Sequence, residues 1–177
     1  MSIKLLGHRV HPMLIGFPIG LLGAAVGFDL VFLATKAERW AEISFYLLGV
    51  GIISGLCAAP FGSLDWLGIP SHTRAKRIGF AHGLTAVISI ALFAASWWLR
   101  YKGPTVPDMN AIALSILGLC LLAVAGWLGG ELVERLGIGV DRGAHPNAPS
   151  SLSGLGATEH VMHTHESYEN TSSSDQT

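Results

Sequence analysis

The sequence predicts an all-α integral membrane protein, built as an up-down four-helix bundle and followed by a disordered C-terminal tail. Half of the 177 residues are hydrophobic and only 13% are charged, whereas soluble domains carry about 25% charged residues. The apolar residues form four long blocks before residue 140. Short polar segments separate the blocks, and short connections force antiparallel neighbours. This composition excludes an ordinary soluble enzyme domain.

Each of the four blocks is long enough to cross a bilayer, which takes about 20 mostly apolar residues. We place the spans at about residues 12–35, 42–67, 77–99 and 110–136. A secretory signal peptide is the alternative for the first block. The apolar core of a signal peptide has only about 7–15 residues, whereas this block is longer and contains Asp29. An uncleaved first span is therefore favoured.

The distribution of basic residues indicates how the spans are oriented. Seven Lys or Arg residues lie near span ends on the side of the N-terminus, and four lie on the opposite side. Positive charge accumulates on the cytoplasmic side of membrane proteins. We therefore expect a multi-pass protein with both termini in the cytoplasm. The net charge of -1 provides no basic field for binding nucleic acid.

The residues that follow the last span form a polar tail. Residues 1–140 make up the transmembrane domain, and residues 141–177 cannot bury enough apolar surface to fold alone. We expect them to form a disordered cytoplasmic extension. A group of histidines and acids lies in this tail: His160, His163, His165, Glu159 and Glu166. Such a group can hold Zn or Ni weakly, but a chance feature of a polar tail is the favoured interpretation.

Small residues recur along the spans and indicate close helix packing. Helix pairing in lipid depends on the close approach of small residues, because lipid is as apolar as leucine. The first span has four glycines on one helix face: Gly16, Gly20, Gly23 and Gly27. We expect this stripe to pack against glycines of the other spans. Pro18 and Pro60 lie inside spans and are expected to kink them or to free a carbonyl.

Four ionisable residues are predicted to lie at the same end of the bundle. Such residues are costly at membrane depth and usually face the bundle interior. Each span supplies one of them near its cytoplasmic end: His11, Asp65, His82 and Glu131. Asp29 follows His11 by about five helical turns, so it shares a helix face with His11 but lies about 27 Å away. The group of four is the most specific functional signal in the sequence.

These residues also have ordinary structural explanations. His11 could cap the first span, and His82 could bond to a neighbouring helix. Glu131 could pair with Arg135, which lies one turn later. Asp29 could be a partly hydrated residue near a span end.

The group of four is compatible with three kinds of chemistry. His11 and His82 could ligate the iron of a haem b from two helices. Together with Asp65 and Glu131 they could instead hold a divalent metal such as Zn, Fe or Mn. The same groups, with Asp29 at the far end, could carry protons or ions. The sequence has no covalent-haem, zinc-protease or phosphate-loop motif, and an enzymatic activity stays open.

Several short motifs resemble those of the bacterial membrane-protein family catalogued as domain of unknown function 2231. The first three spans match through His11-Pro12, Phe17-Pro18-Ile19 and Asp29, then Gly62-Ser-Leu-Asp65-Trp66, then His82. The fourth span matches through Gly126-Trp127-Leu-Gly129-Gly130-Glu131-Leu132 and Gly137-Ile-Gly139-Val140. The resemblance covers nearly all of residues 8–140.

This resemblance implies a four-span protein of the bacterial inner membrane with no assigned function. Some members are fused to a Rieske-type iron–sulfur domain, which by analogy indicates electron transfer. Many members carry further histidines where Gly16 and Leu136 stand here. If those two histidines are cofactor ligands, the resemblance implies that this chain binds fewer cofactors than those members, or none. Its tail has no cysteine and therefore no Rieske cluster.

Three hypotheses of function follow. The first is a small redox-linked membrane subunit with haem b or a metal on His11 and His82, and with Asp65 and Glu131 as neighbours or proton carriers. The second is a proton- or ion-linked transporter subunit, which the lack of a recognisable internal repeat disfavours. The third is a structural or regulatory membrane subunit. The expected partners are the lipid bilayer and either a second copy of the chain or a redox protein.

Overall fold

A computed structural model describes residues 3–102 and 106–158 of the chain. It contains a short helix α1 (Val10–Leu14) and four long helices, α2 (Gly16–Thr35), α3 (Glu38–Leu67), α4 (Arg74–Lys102) and α5 (Met109–Gly130). A π-helical turn (Glu131–Arg135) continues α5. Within the described residues, four helices are long and apolar enough to cross a membrane: Val10–Thr35, Glu38–Leu67, Arg74–Tyr101 and Met109–Arg135. The predicted all-α, four-span architecture is confirmed.

The four long helices close into a bundle. Each packs against its neighbour in sequence, and α5 returns to pack against α2. The helices α2 and α4 therefore lie diagonally opposite each other. The connection between α2 and α3 is only two residues long because Lys36 adopts a left-handed conformation (φ +57°), and its N–H bonds to the Phe32 carbonyl at 2.8 Å.

Proline interrupts the first span as expected. Pro18 has no N–H to donate to the carbonyl of Leu14, four residues earlier, and α1 ends at Leu14. Ile15, between the two helices, keeps a helical backbone (φ -64°, ψ -21°), and α2 begins at Gly16. Pro60, in contrast, lies inside α3 without ending it.

The core lies at the middle of the bundle, where all four long helices meet. Leu22, Ala25, Val26, Leu48 and Phe93 are buried together there. Two glycines make room for the largest of these side chains. A Cβ on Gly51 would lie 2.7 Å from Leu22, and one on Gly118 would lie 3.1 Å from Phe93.

The predicted role of the first-span glycine stripe is wrong. A Cβ added to any of its four glycines would meet no atom within 4 Å: Gly16, Gly20, Gly23 and Gly27. The helical glycines that do admit a neighbouring side chain are on α3, α4 and α5: Gly49, Gly51, Gly55, Gly62, Gly79, Gly118 and Gly129. The face that the stripe occupies therefore points away from the other helices.

The buried residues reveal an internal repeat that the sequence alone does not show. Four buried residues of α2 lie 71 positions before four buried residues of α4: Pro18, Leu22, Ala25 and Asp29 before Ser89, Phe93, Ser96 and Arg100. A similar shift relates four buried residues of α3 to four of α5: Ser44, Leu48, Gly51 and Ala58 to Ala111, Ser115, Gly118 and Ala125.

The side-chain contacts relate the two hairpins through the same equivalent positions. Gly51 admits Leu22 and Gly118 admits Phe93, and these are two pairs of equivalent positions. The α2–α3 hairpin and the α4–α5 hairpin thus form equivalent halves around an approximate two-fold axis that runs along the bundle. The expectation that the chain has no internal repeat is wrong. The repeat is carried by buried positions and their contacts, and only some equivalent positions have identical residues, such as Gly51 and Gly118.

The chain divides into two compact units, and the bundle belongs to the unit that contains Ile3 and Val10–Ile138. Among the described residues, the second unit contains Lys4–Arg9 and residues 139–158. Its two short strands, β1 (Lys4–Leu5) and β2 (His8–Arg9), form an antiparallel hairpin.

The turn of this hairpin has two residues with positive φ, Leu6 (+49°) and Gly7 (+83°), which suits the right-handed twist of paired strands. Lys4 pairs with Asp141 at 2.8 Å, and Ser151 donates to the Leu6 carbonyl at 3.3 Å. Residues 141–158 form turns without a helix or strand. The histidines and acids singled out in the tail lie outside the described residues: Glu159, His160, His163, His165 and Glu166.

Candidate functional site

His11 and His82 meet inside one end of the bundle. Their ring centroids are 6.4 Å apart, and the ring planes are nearly perpendicular, at 82°. Both side chains are partly buried. His11 belongs to α1 and His82 to α4, and the shift that relates α2 to α4 also relates these two positions, so they are equivalent in the internal repeat. The histidine pair therefore lies on the approximate two-fold axis.

Each imidazole makes the same two contacts with the second helix of its own hairpin, one with a backbone carbonyl and one with a glycine. His11 Nδ1 lies 3.2 Å from the Ala58 carbonyl oxygen, and His82 Nδ1 lies 2.8 Å from the Ala125 carbonyl oxygen. Four residues after each alanine, one helical turn later, comes a glycine. A Cβ on Gly62 would lie 2.7 Å from His11 Cε1, and one on Gly129 would lie 3.3 Å from His82 Cε1. The sequence pattern Ala-x-x-x-Gly thus forms a seat for an imidazole in each half.

These contacts define the protonation pattern of the two rings. A carbonyl oxygen only accepts hydrogen bonds, so Nδ1 of each ring carries the proton and donates it. In a neutral imidazole the other nitrogen, Nε2, then has a free lone pair. Metal-ligating histidines in proteins nearly always give their second ring N–H to a carbonyl or carboxylate in this way. Both rings are therefore fixed in the tautomer that ligates through Nε2.

Asp65 and Glu131 occupy different surroundings at this end. Asp65 lies three residues after Gly62, which places it on the face of α3 that holds His11. Glu131 pairs with Arg74, the first residue of α4, with Arg74 Nη2 2.6 Å from Glu131 Oε1. The alternative in which Glu131 pairs with Arg135 is wrong. Glu131 begins a π-helical turn, in which residues are spaced around the helix axis differently from those of an α-helix.

The predicted group of four is therefore only partly assembled. The structure brings His11 and His82 together, places Asp65 on the face of α3 that holds His11, and pairs Glu131 with Arg74. Among residues 3–102 and 106–158, no three His, Cys, Asp or Glu side chains are grouped closely enough to hold a metal ion. The histidine pair is the part of the predicted site that the fold brings into contact range.

The end of α3 and the start of α4 are held together by Trp66. Its indole Nε1 donates to the Lys76 carbonyl at 3.1 Å, and Lys76 Nζ donates to the Trp66 carbonyl at 2.8 Å. The Lys76 ammonium also lies 3.9 Å from the Trp66 ring centroid. Gly79 admits the indole, since a Cβ there would lie 2.8 Å from Trp66 Cδ1. This clasp fixes the position of the neighbouring Asp65.

A second polar site lies at the opposite end of the bundle, around Asp29. This residue is fully buried and pairs with Arg100 through two hydrogen bonds, Nη1 to Oδ1 at 2.7 Å and Nη2 to Oδ2 at 2.6 Å. Asp29 is thus buried and paired, and the explanation that it is a partly hydrated residue is wrong. Such forked guanidinium–carboxylate pairs are stronger and more directional than single-bonded ones.

Three buried serines complete the surroundings of Arg100. Ser44 accepts from Nη1 at 3.1 Å, Ser115 from Nη2 at 3.2 Å, and Ser96 from Nε at 3.3 Å. Together with Asp29 they provide five acceptors, which equals the number of N–H groups in a guanidinium. Ser96 and Ser115 also bond to each other at 2.7 Å. The charge of Arg100 is therefore buried with its full hydrogen-bonding capacity used.

Sequence reasoning overlooked Arg100 as a site residue and counted it only among the basic residues near span ends. One signal could have revealed it. Asp29 follows His11 at the same interval at which Arg100 follows His82. Because this interval is about five full helical turns, each histidine shares a helix face with one member of the ion pair.

The chain was compared with protein families and with known proteins. Residues 7–142 match the family described as Predicted membrane protein (DUF2231). The chain belongs to this family. The match includes both histidines and both members of the buried ion pair, and it confirms the resemblance noted from the sequence motifs. No curated protein and no solved structure gives a significant match. The family description supports a multi-pass membrane protein.

Proposed function

We propose that this protein is a small redox-linked subunit of the bacterial inner membrane that binds haem b or a metal ion through His11 and His82. The observation that carries the proposal is the matched seating of the two imidazoles. Each ring donates its Nδ1 proton to a carbonyl of the helix that follows in its own hairpin, which leaves both Nε2 lone pairs available.

The spacing of the rings supports ligation of a single metal by both. The two ring centroids are 6.4 Å apart, so His11 and His82 would be close enough to hold one metal ion or haem iron together. A bound haem or redox metal would supply one-electron chemistry.

The neighbouring carboxylates have supporting roles in this proposal. Asp65, on the face of α3 that holds His11, would serve as a neighbouring proton carrier. Glu131 is neutralised by Arg74, which leaves it poorly suited to ligate a metal. A redox protein at the membrane surface, or a second copy of the chain, is the expected partner.

The proposal is tested by a reduced-minus-oxidised optical spectrum and a metal analysis of the protein purified in mild detergent. We expect a Soret band with sharp α and β bands, or a stoichiometric redox metal, in the wild-type protein. His11→Ala and His82→Ala should each abolish it. His72→Asn is the matched control, since His72 is exposed in the α3–α4 loop and has a left-handed conformation (φ +63°) that Asn tolerates. A folded wild-type protein that is colourless and metal-free would overturn the proposal.

A second candidate function, an ion-linked transporter subunit, is favoured by the internal repeat. Transporter families include folds made of parallel repeats around an axis normal to the membrane. Here both polar sites contain equivalent residues of the two halves, with the apolar Leu22–Phe93 layer between them. Proton or ion flux into proteoliposomes that is lost in Asp65→Asn, with no cofactor in the spectrum, would support this candidate. Absence of flux in the wild-type protein would contradict it.

A further inference from the structure

The ion pair of Asp29 and Arg100 joins two equivalent positions of the internal repeat. Asp29 on α2 and Arg100 on α4 are related by the same shift along the chain as His11 and His82. The two halves thus carry opposite charges at the same place on the axis. The contact between them has two hydrogen bonds in a planar fork and is buried from solvent, with side chains only 0% and 4% exposed.

Such a fork restricts rotation of the helices that carry it. A guanidinium and a carboxylate that share two hydrogen bonds must lie nearly in one plane. The remaining three N–H groups of Arg100 are directed to serines on α3, α4 and α5. All four long helices are therefore connected to one rigid group at this end of the bundle.

The rotation fixed at this end also applies at the histidine end. Each histidine precedes the ion-pair residue of its own span by about five full helical turns, or about 27 Å. Because α4 is continuous from His82 to Arg100, a change in its rotation at the ion pair would move His82 by the same angle around the helix axis. His11 lies on α1, which joins α2 through Ile15. Ile15 has a helical backbone (φ -64°, ψ -21°), and its N–H bonds to the His11 carbonyl at 3.2 Å, so a rotation of α2 would also displace His11. The helices α2 and α4 lie diagonally opposite each other in the bundle. At the ion pair and at the histidine pair, polar side chains from both halves come together at the two-fold axis.

We propose that Asp29 and Arg100 are positioning residues: their forked pair fixes the relative rotation of the two hairpins and thereby the spacing of His11 and His82 at the other end. The inference does not depend on whether the histidines bind a cofactor. In this view the serines and the ion pair form the fixed end of the molecule. At the histidine end, the imidazole side chains are half-buried and α1 is separate from α2. The distant ion pair restrains the positions of these side chains.

The test is a distance measurement by pulsed electron paramagnetic resonance on the full-length protein in detergent. Nitroxide labels are placed at Met13→Cys and Leu84→Cys, which are equivalent positions, exposed by 52% and 49%, close to the two histidines. The background carries Cys57→Ala and Cys120→Ala. A second label pair at the ion-pair end uses Leu30→Cys and Tyr101→Cys, also equivalent and exposed.

The decisive variant removes both charges at once, Asp29→Asn with Arg100→Gln. Replacing both partners of a buried ion pair is much better tolerated than removing one. We expect the 13–84 distance distribution to be at least twice as wide as in the wild type. Arg39→Gln is the matched control, because Arg39 is exposed and lies over the ring of Trp40, and it should leave the width unchanged.

The charge exchange Asp29→Arg with Arg100→Asp provides the second measurement. If the two positions are equivalent, the exchanged pair forms again and the narrow 13–84 distribution returns. A folded double-neutral variant with an unchanged 13–84 width would overturn the proposal. Widening confined to the 30–101 pair would also overturn it, since the ion pair would then act only locally. Should the double-neutral variant fail to fold, the exchanged variant decides: a narrow distribution supports the proposal and a wide one refutes it.

Discussion

The seat of His11 on α3 predicts a large effect of one added methyl group at Gly62. In Gly62→Ala the new Cβ would lie 2.7 Å from His11 Cε1 and 3.0 Å from its Nδ1. The ring must withdraw by about 0.7 Å to restore an ordinary contact of 3.4 Å. The hydrogen bond to the Ala58 carbonyl is already 3.2 Å long and would be lost, because such bonds weaken beyond about 3.2 Å.

The magnitude follows from three contributions. Overpacking of a filled site costs about 1–3 kcal/mol, and loss of the hydrogen bond costs about 1 kcal/mol. Replacing glycine by alanine inside a helix returns about 1 kcal/mol. We expect Gly62→Ala to lower the free energy of unfolding by about 1–3 kcal/mol.

The internal repeat supplies a matched comparison. At the equivalent Gly129, a Cβ would lie 3.3 Å from His82 Cε1 and 3.4 Å from its Nδ1, so the neighbouring ring needs to move by only about 0.1 Å. Gly129→Ala should be neutral or stabilising by up to about 1 kcal/mol. Gly23→Ala, on the open face of α2, should behave like Gly129→Ala.

Unfolding in mixed micelles, followed by circular dichroism, measures the free energies. Nitrogen NMR of the imidazoles reports whether His11 keeps its Nδ1 hydrogen bond. If Gly62→Ala and Gly129→Ala have equal effects on stability, or if His11 keeps its bond in Gly62→Ala, the seating argument is refuted.

The remaining predictions concern contacts outside the histidine seats. Arg100→Leu leaves the Asp29 carboxylate buried without its cation and should lower the free energy of unfolding by about 3–5 kcal/mol; adding Asp29→Asn should recover much of this loss, and no recovery would contradict pairing between the two. Trp66→Phe removes the indole donor to the start of α4 and should cost about 1 kcal/mol in the same assay, whereas an unchanged stability would show that the clasp contributes little. The hydrogen bond and positive charge of Lys4 hold the pKa of Asp141 below its usual 3.8, so Lys4→Ala should raise this pKa in an NMR titration of the carboxyl carbon. Because the folded pKa is the lower one, the small stabilisation from this pair is present above the usual pKa and is lost as the pH falls through the depressed value.

The sequence by itself determined which segments cross the membrane. Whether a segment crosses the membrane depends on the summed hydropathy of about 20 residues. This sum does not change when helices rotate or exchange neighbours. The end of the bundle to which His11 and His82 belong also follows from counting residues along alternating spans. The first-span break near Pro18 follows from a covalent property, the missing N–H of proline.

Helix rotation and helix order were decided only by the tertiary structure. The face of α2 that carries Asp29 turns inward and the face that carries the glycine stripe turns outward, although hydropathy and residue size alone favoured an inward stripe. The deciding contribution is the cost of a carboxylate in lipid, which is relieved when Asp29 reaches Arg100 on the diagonal helix.

The pairing of distant charges likewise has no signature in local sequence. Glu131 has Arg135 one turn away on its own segment, yet the π-helical turn and the start of α4 bring it to Arg74. The internal repeat is hidden for a related reason. Many equivalent positions share burial and contacts although their residues differ, as with Leu22 and Phe93 or Asp29 and Arg100. The two halves must be complementary where such residues meet at the axis.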